Sequence, residues 1–129
     1  MRVFLVRHAK ASQGEPDELR ALNGKGWAQA RDLGKRLAAE GVRPAAVLTS
    51  PLVRARQTAD EIARATDATA EPDERLAPGA TVDDLRAAVA GRGDPVVVVG
   101  HQPDCGQIAA ALTGDEPDFP TGGMCVLDL

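Results

Sequence analysis

Three short runs along the chain, Val3 to Val6, Ala46 to Thr49 and Val96 to Val99, are apolar throughout except for the closing threonine of the second. A strand with one wet face alternates apolar and polar positions, whereas a run without alternation is covered on both faces, as in a parallel sheet. Val126 to Leu129 reads as a fourth strand, at an edge of that sheet. The segments between these runs carry helical period instead. Trp27, Ala30, Leu33 and Leu37 fall on one face of a helix that stops at Gly41. Ser50 and Pro51 predict the N-cap and first position of a second helix, along which Leu52, Ala55, Ala59, Ile62 and Ala63 recur. Thr81 with Asp84 three residues on predicts a capped third helix ending near Gly91. Pro103 opens a fourth, carrying Ile108, Ala109 and Leu112 before Gly114. Clusters of Gly, Pro and Asp at Gly14 to Asp17, Glu71 to Asp73 and Gly91 to Pro95 predict loops. Strands alternating with helices predict an α/β fold, a three-layer α/β/α sandwich around a mostly parallel sheet.

Length and composition narrow the function. At 129 residues the chain predicts one domain, residues 1–129, with a single core. Only 2% of residues are aromatic (Phe4, Trp27 and Phe119, with no Tyr), so the core is built of Ala, Val, Leu and Ile, and base-stacking platforms for single-stranded nucleic acid are not supported. A net charge of −4 has the wrong sign for a protein that coats DNA or an anionic membrane, so neither nucleic acid nor membrane is an expected partner. Any basic surface is therefore local. Cys105 and Cys125 read as reduced, partly buried thiols rather than a disulfide framework. The opening MRVFLVRHAK has too short an apolar run for a secretory leader, and nothing approaches the roughly 18 apolar residues of a membrane span. A cytoplasmic location is expected.

The chain has two histidines, and each follows a buried strand: His8 after VFLVR and His101 after VVVVG. If those strands are parallel, both imidazoles emerge at the carboxyl edge of the sheet, where open α/β folds place their ligand crevice. The third run, AVLTS, leads at the same edge into SPLVRARQT. Arg54 then lies in the first turn of the second helix and leans back toward the crevice, because helical side chains tilt toward the N-terminus. Arg7 arrives beside His8. Two histidines and two arginines at strand ends and helix N-termini describe an anion site, with phosphate the expected ligand.

At these residues the sequence resembles the histidine phosphatase superfamily, the phosphoglycerate mutase-like phosphatases. VRHAKA is similar to the family's Arg-His-Gly or Arg-His-Ala start, SPLVRARQTA to its second signature and GHQP to its late Gly-His motif. ALNGKGWAQA resembles the Leu-Thr-x-x-Gly-x-x-Gln-Ala segment that opens the first helix, with Asn23 where Thr is usual. The resemblance implies that neutral His8 attacks phosphorus in line, forming a phosphohistidine that water hydrolyses, while Arg7, Arg54 and His101 bind the equatorial oxygens. Cationic neighbours help His8 stay unprotonated. No metal or other cofactor is implied, and no cluster with metal-ligand spacing stands in the sequence. Other phosphate chemistries fail on the letters: six residues after Cys105 is Ala111 rather than the Arg a cysteine phosphatase needs, Cys125 is followed by only four residues, and no Walker A sequence is present.

Only 46 residues lie between Arg54 and His101, too few for the lid that mutases and larger phosphatases place over small substrates. The site is expected to be open, as in the small SixA-type branch, whose members remove phosphate from a histidine displayed by a partner protein. Many of the larger family carry an acid after the third strand to protonate a leaving alkoxide, but ERLAPGAT puts Pro78 at that place. A phosphoramidate brings its own proton on the departing imidazole, so this loss favours a P–N substrate. Glu74, Asp83 and Asp104 stay open as proton donors, Arg20, Ser12 and Gln13 as additions to the phosphate site, and Lys10 as added positive potential. The expected partner is thus a phosphohistidine carrier protein. The alternatives are a small phosphomonoester as substrate, or a module that binds phosphoprotein without turnover.

Overall fold

The computed structural model describes residues 1–129. Five strands and four helices alternate: β1 (Arg2–Arg7), α1 (Gly24–Ala39), β2 (Ala46–Thr49), α2 (Val53–Ala65), β3 (Ala70–Pro72), α3 (Val82–Val89), β4 (Val96–Gly100), α4 (Asp104–Thr113) and β5 (Met124–Asp128). Short 3-10 turns stand at Asp17–Leu19 and Glu74–Leu76. The strands form one sheet in the order β3-β2-β4-β1-β5, parallel except for the antiparallel edge pair of β1 and β5. The last-but-one strand in sequence, β4, therefore lies between β1 and β2.

Why the strand runs do not alternate is plain from the two cores. Val3, Leu5, Ala46, Leu48, Val96 and Val98 face α3 and α4, packing on Leu85, Val89, Ile108 and Ala109. Their neighbours Phe4, Val6, Val47, Val97 and Val99 face α1 and α2, packing on Leu33, Leu37, Ala59 and Ile62. Burying each Val, Leu, Ile or Phe among them contributes on the order of 1.5–3 kcal/mol, so both faces select apolar residues.

The helix ends follow their chemistry with two shifts. Asn23 caps α1, its Oδ1 accepting from Gly26 N at 2.8 Å, and Thr81 and Asp84 form a reciprocal capping box on α3. Gly114, at φ 85°, closes α4, which begins at Asp104 with Pro103 as its N-cap. The expected cap at Ser50 is corrected: α2 begins at Val53 with Leu52 as N-cap. Ser50 is held instead by the sheet, its N–H donating to Val99 O at 3.0 Å. The predicted loop from Glu71 to Asp73 is corrected too, since Ala70–Pro72 pairs with β2. Three residues with a proline carry no apolar signature, and proline is tolerated because β3 is an edge. At the opposite edge β5 starts two residues earlier than the predicted strand. No helix is long and apolar enough to cross a membrane.

Candidate active site

Register brings the predicted chemistry together. Arg7 of β1 pairs with Gly100 of β4, and Val99 pairs with Thr49 of β2, so the three strands end level. The ladder runs one residue further, with His8 N donating to Gly100 O at 3.0 Å. His8, Ser50 and His101 thus leave the sheet side by side, and the two imidazole centroids lie 5.2 Å apart.

Each side chain is then fixed locally. His8 Nδ1 lies 2.7 Å from Ala9 O. A carbonyl only accepts, so Nδ1 carries the proton and Nε2 keeps its lone pair. Ala9 N donates to Thr58 Oγ1 at 3.0 Å, and that hydroxyl donates to Arg54 O at 2.8 Å, tying the residues after β1 to the first turns of α2. His101 Nε2 lies 2.7 Å from Ser50 Oγ, which also accepts from Leu52 N at 3.2 Å. Arg7 Nη1 donates to Phe119 O at 2.9 Å. Arg54 Nη1 and Nη2 donate to Asp17 O at 2.8 Å and Asp17 Oδ2 at 3.1 Å. Both arginines leave a buried Nε without a partner in the chain. An unpaired buried donor is costly, and an entering anion relieves that cost.

The pocket has a volume of about 410 Å³ and is lined by Arg7, His8, Gln13, Arg20, Arg54 and His101 together with Lys10, Asp17, Pro78 and Gln102. His8, Arg54 and His101 are all less than 9% exposed. Burial pushes the His8 imidazole down to about 4, with Arg54, Arg7 and Arg20 adding in the same direction against the Ala9 hydrogen bond. Burial and the neighbouring His8 bring His101 down to about 3. Both rings are neutral at pH 7, so the positive charge of the pocket resides on its arginines and Lys10.

Of the residues singled out from sequence, Arg7, His8, Arg20, Arg54, His101, Gln13 and Lys10 meet in this pocket. Ser12 does not line it. Its main chain works instead, with its O accepting from Arg20 Nε at 2.8 Å and its N–H donating to Ala21 O at 2.8 Å. Glu74, Asp83 and Asp104 also lie outside the lining. Asp104 Oδ2 accepts from Gly79 N and Ala80 N at 2.8 and 3.2 Å, which anchors the loop that presents Pro78 to the pocket. Glu74 belongs to a 3-10 turn and Asp83 to the exposed first turn of α3. Sequence reasoning missed Asp17, Ser50 as the partner of His101, and Thr58. Thr58 was legible in principle, four residues after Arg54 on the same helix, and Asp17 three before Arg20.

Comparison with known proteins agrees with the architecture. Residues 3–78 match the histidine phosphatase superfamily (branch 1). An uncharacterised protein of Picosynechococcus sp. is 36% identical over 121 residues, covering 87% of this chain and 73% of the relative. The solved structure of the protein histidine phosphatase SixA complexed with tungstate superposes with a TM-score of 0.89 at 29% identity, covering 100% of this chain and 88% of the other. A candidate phosphohistidine phosphatase SixA from Agrobacterium tumefaciens superposes at 0.86 with 31% identity, covering 98% and 90%. The α/β/α sandwich with its mostly parallel sheet is the phosphoglycerate mutase-like fold expected from the sequence.

Proposed function

The chain belongs to the histidine phosphatase superfamily, and on that premise we propose that it removes phosphate from phosphohistidine on a partner protein through a phosphohistidine intermediate at His8. The observation that carries the reading is the fixed tautomer of His8. With Nδ1–H held by Ala9 O, and the ring kept neutral by burial, Nε2 is a lone pair at the wall of a cationic pocket. That is the state a nitrogen nucleophile needs.

The in-line step forms the Nε2–P bond as the bond from phosphorus to the leaving group breaks. Arg7 and Arg54 offer N–H groups to the equatorial oxygens, where charge shifts during transfer. Ser50 supports His101 in the same task. In this reading the Ser50 hydroxyl, which accepts from Leu52 N–H, donates to His101 Nε2, so that the His101 proton sits on Nδ1. Water then attacks the phosphorylated His8, the Nε2–P bond breaks, and inorganic phosphate departs with the water's oxygen. Between α2 and β4 the chain forms only β3, a 3-10 turn and α3. Nothing there closes over the pocket, which suits a phosphate presented on a protein surface, and Pro78 at its wall offers no proton to an alkoxide.

The test is transfer from a radiolabelled phosphohistidine carrier protein, run beside an aryl phosphate and a sugar phosphate with acid-labile label trapped on the enzyme. Release from the carrier well above the other two is expected, with His8→Ala slower by at least about a thousandfold. Equal rates for parent and His8→Ala would falsify the nucleophile assignment. Preference for the sugar phosphate would make the enzyme a phosphomonoesterase, and carrier bound with neither label transfer nor release would make it a binding module.

A further inference from the structure

Asp17 is the one acidic side chain that lines the pocket. It stands at the rim, 57% exposed, over an Arg54 side chain that is only 7% exposed. Its Oδ2 accepts from Arg54 as described, and its Oδ1 accepts from Arg20 Nη1 at 3.0 Å. The groups that face it are therefore Arg20 from the same segment, Arg54 from α2, and across the pocket Arg7, His8, Lys10 and His101. Arg20 and Arg54 hold the Asp17 carboxyl below the usual carboxylate range. It is ionised at neutral pH and has no proton to give.

A carboxylate beside a phosphate site opposes the binding of a phosphate dianion. A ligand compensates only if it brings positive charge or an N–H to the rim. An alkyl or aryl phosphate without an amino group brings neither. An imidazole phosphorylated on one ring nitrogen brings both once its distal nitrogen is protonated, because the ring is then cationic and its N–H seeks an oxygen acceptor.

We propose that Asp17 is a specificity-determining residue that accepts the distal N–H of the leaving imidazole and so selects N-linked over O-linked phosphate. This role rests on the reading of the protein as a phosphohistidine phosphatase. As the P–N bond breaks, its electron pair stays on the ring nitrogen, and a ring already protonated at its other nitrogen leaves as neutral imidazole. Phosphorus bonds meanwhile to His8 Nε2, whose own distal N–H remains on Ala9 O. Asp17 transfers no proton. Donor and acceptor are then the same chemical group, each with its distal N–H on an oxygen, and the phosphoryl group passes between matched imidazoles.

The experiment compares N-phosphoimidazole with an aryl phosphate, for parent and Asp17→Asn, across a range of pH. Phosphoimidazole needs no partner surface, and any displacement of Arg54 lowers both rates and cancels in their ratio. The expected result is a kcat/KM ratio of phosphoimidazole to aryl phosphate about tenfold lower in Asp17→Asn. The alkaline limb of the phosphoimidazole profile should also move down by about one pH unit, because the substrate's ring loses the anion that keeps it protonated. A ratio within twofold of the parent, or an alkaline limb that stays in place, overturns this role and leaves the phosphatase reading intact. A parent that cleaves the aryl ester but not phosphoimidazole overturns both.

Discussion

His8 and His101 are made neutral by their setting rather than by their pH. Both lie below the ordinary histidine value of 6.5, at about 4 and about 3, with burial the largest cause. A histidine whose folded value is depressed gives stability that is fully present above its unfolded value and is lost as pH falls toward the folded one. The window here runs from about 6.5 down to about 3. The urea midpoint should therefore fall as pH drops from 7 to 4, and this slope should shrink in His101→Phe. In an NMR titration both imidazoles should stay neutral from pH 8 to 5, and a midpoint near 6.5 for either would contradict the burial argument. Ser50 is the second device at this scale. In Ser50→Ala the Nε2 partner is gone, so nitrogen spectra should show His101 leaving the Nδ1–H form, and kcat/KM should fall about tenfold. An unchanged tautomer would mean that Ser50 only fills space.

Between the elements, the position of His8 depends on how α1 meets the segment behind it. Gly26 faces the Lys10 backbone so closely that a methyl group there would overlap the Lys10 carbonyl, and Asn23 N donates to Lys10 O at 3.1 Å. Gly26→Ala should cost about 1–3 kcal/mol by denaturant unfolding and lower activity as the residues after His8 shift. Gly24, in the same first turn, has open space around it, so Gly24→Ala should be neutral or stabilise by up to ~1 kcal/mol. Similar losses in the two variants would show that the close approach of Gly26 to Lys10 does not set the cost. This contrast also marks what was legible beforehand. The three central strands and the capping box of α3 follow from apolar runs and local chemistry, both written in adjacent letters. Ser50 looked like a cap because Ser-Pro opens helices, but the ladder bond to Val99 and the ring of His101 come from residues about fifty positions away. For Asp17 the local pairing with Arg20 is written in the sequence, but the contact that places it at the pocket, with Arg54, is 37 residues distant.

For the molecule as a whole, a net charge of −4 surrounds a pocket that gathers Arg7, Arg20, Arg54 and Lys10 with one carboxylate. Anions should therefore bind there and stabilise the folded state. Tungstate at a hundred times its Kd should add about 2.7 kcal/mol, raising Tm by several degrees. Added sodium chloride should weaken the effect only modestly, because the Arg54 guanidinium is buried and poorly screened. Arg54→Ala should abolish it. A rise in Tm of equal size in Arg54→Ala would place the anion elsewhere on the surface.

The position of β4 between β1 and β2 has a consequence for how the protein comes into being. As the chain leaves the ribosome, β1 and β2 emerge with their facing edges unpaired, since the strand that joins them begins only at Val96, more than a third of the sequence beyond Thr49. Until residues 96–100 arrive, two apolar strand edges stand exposed, the condition that invites association with other chains. Insertion of β4 closes that gap and delivers His101 opposite His8 in the same event. Binding competence and closure of the parallel part of the sheet are thus one kinetic step, and no chain that lacks β4 should hold phosphate.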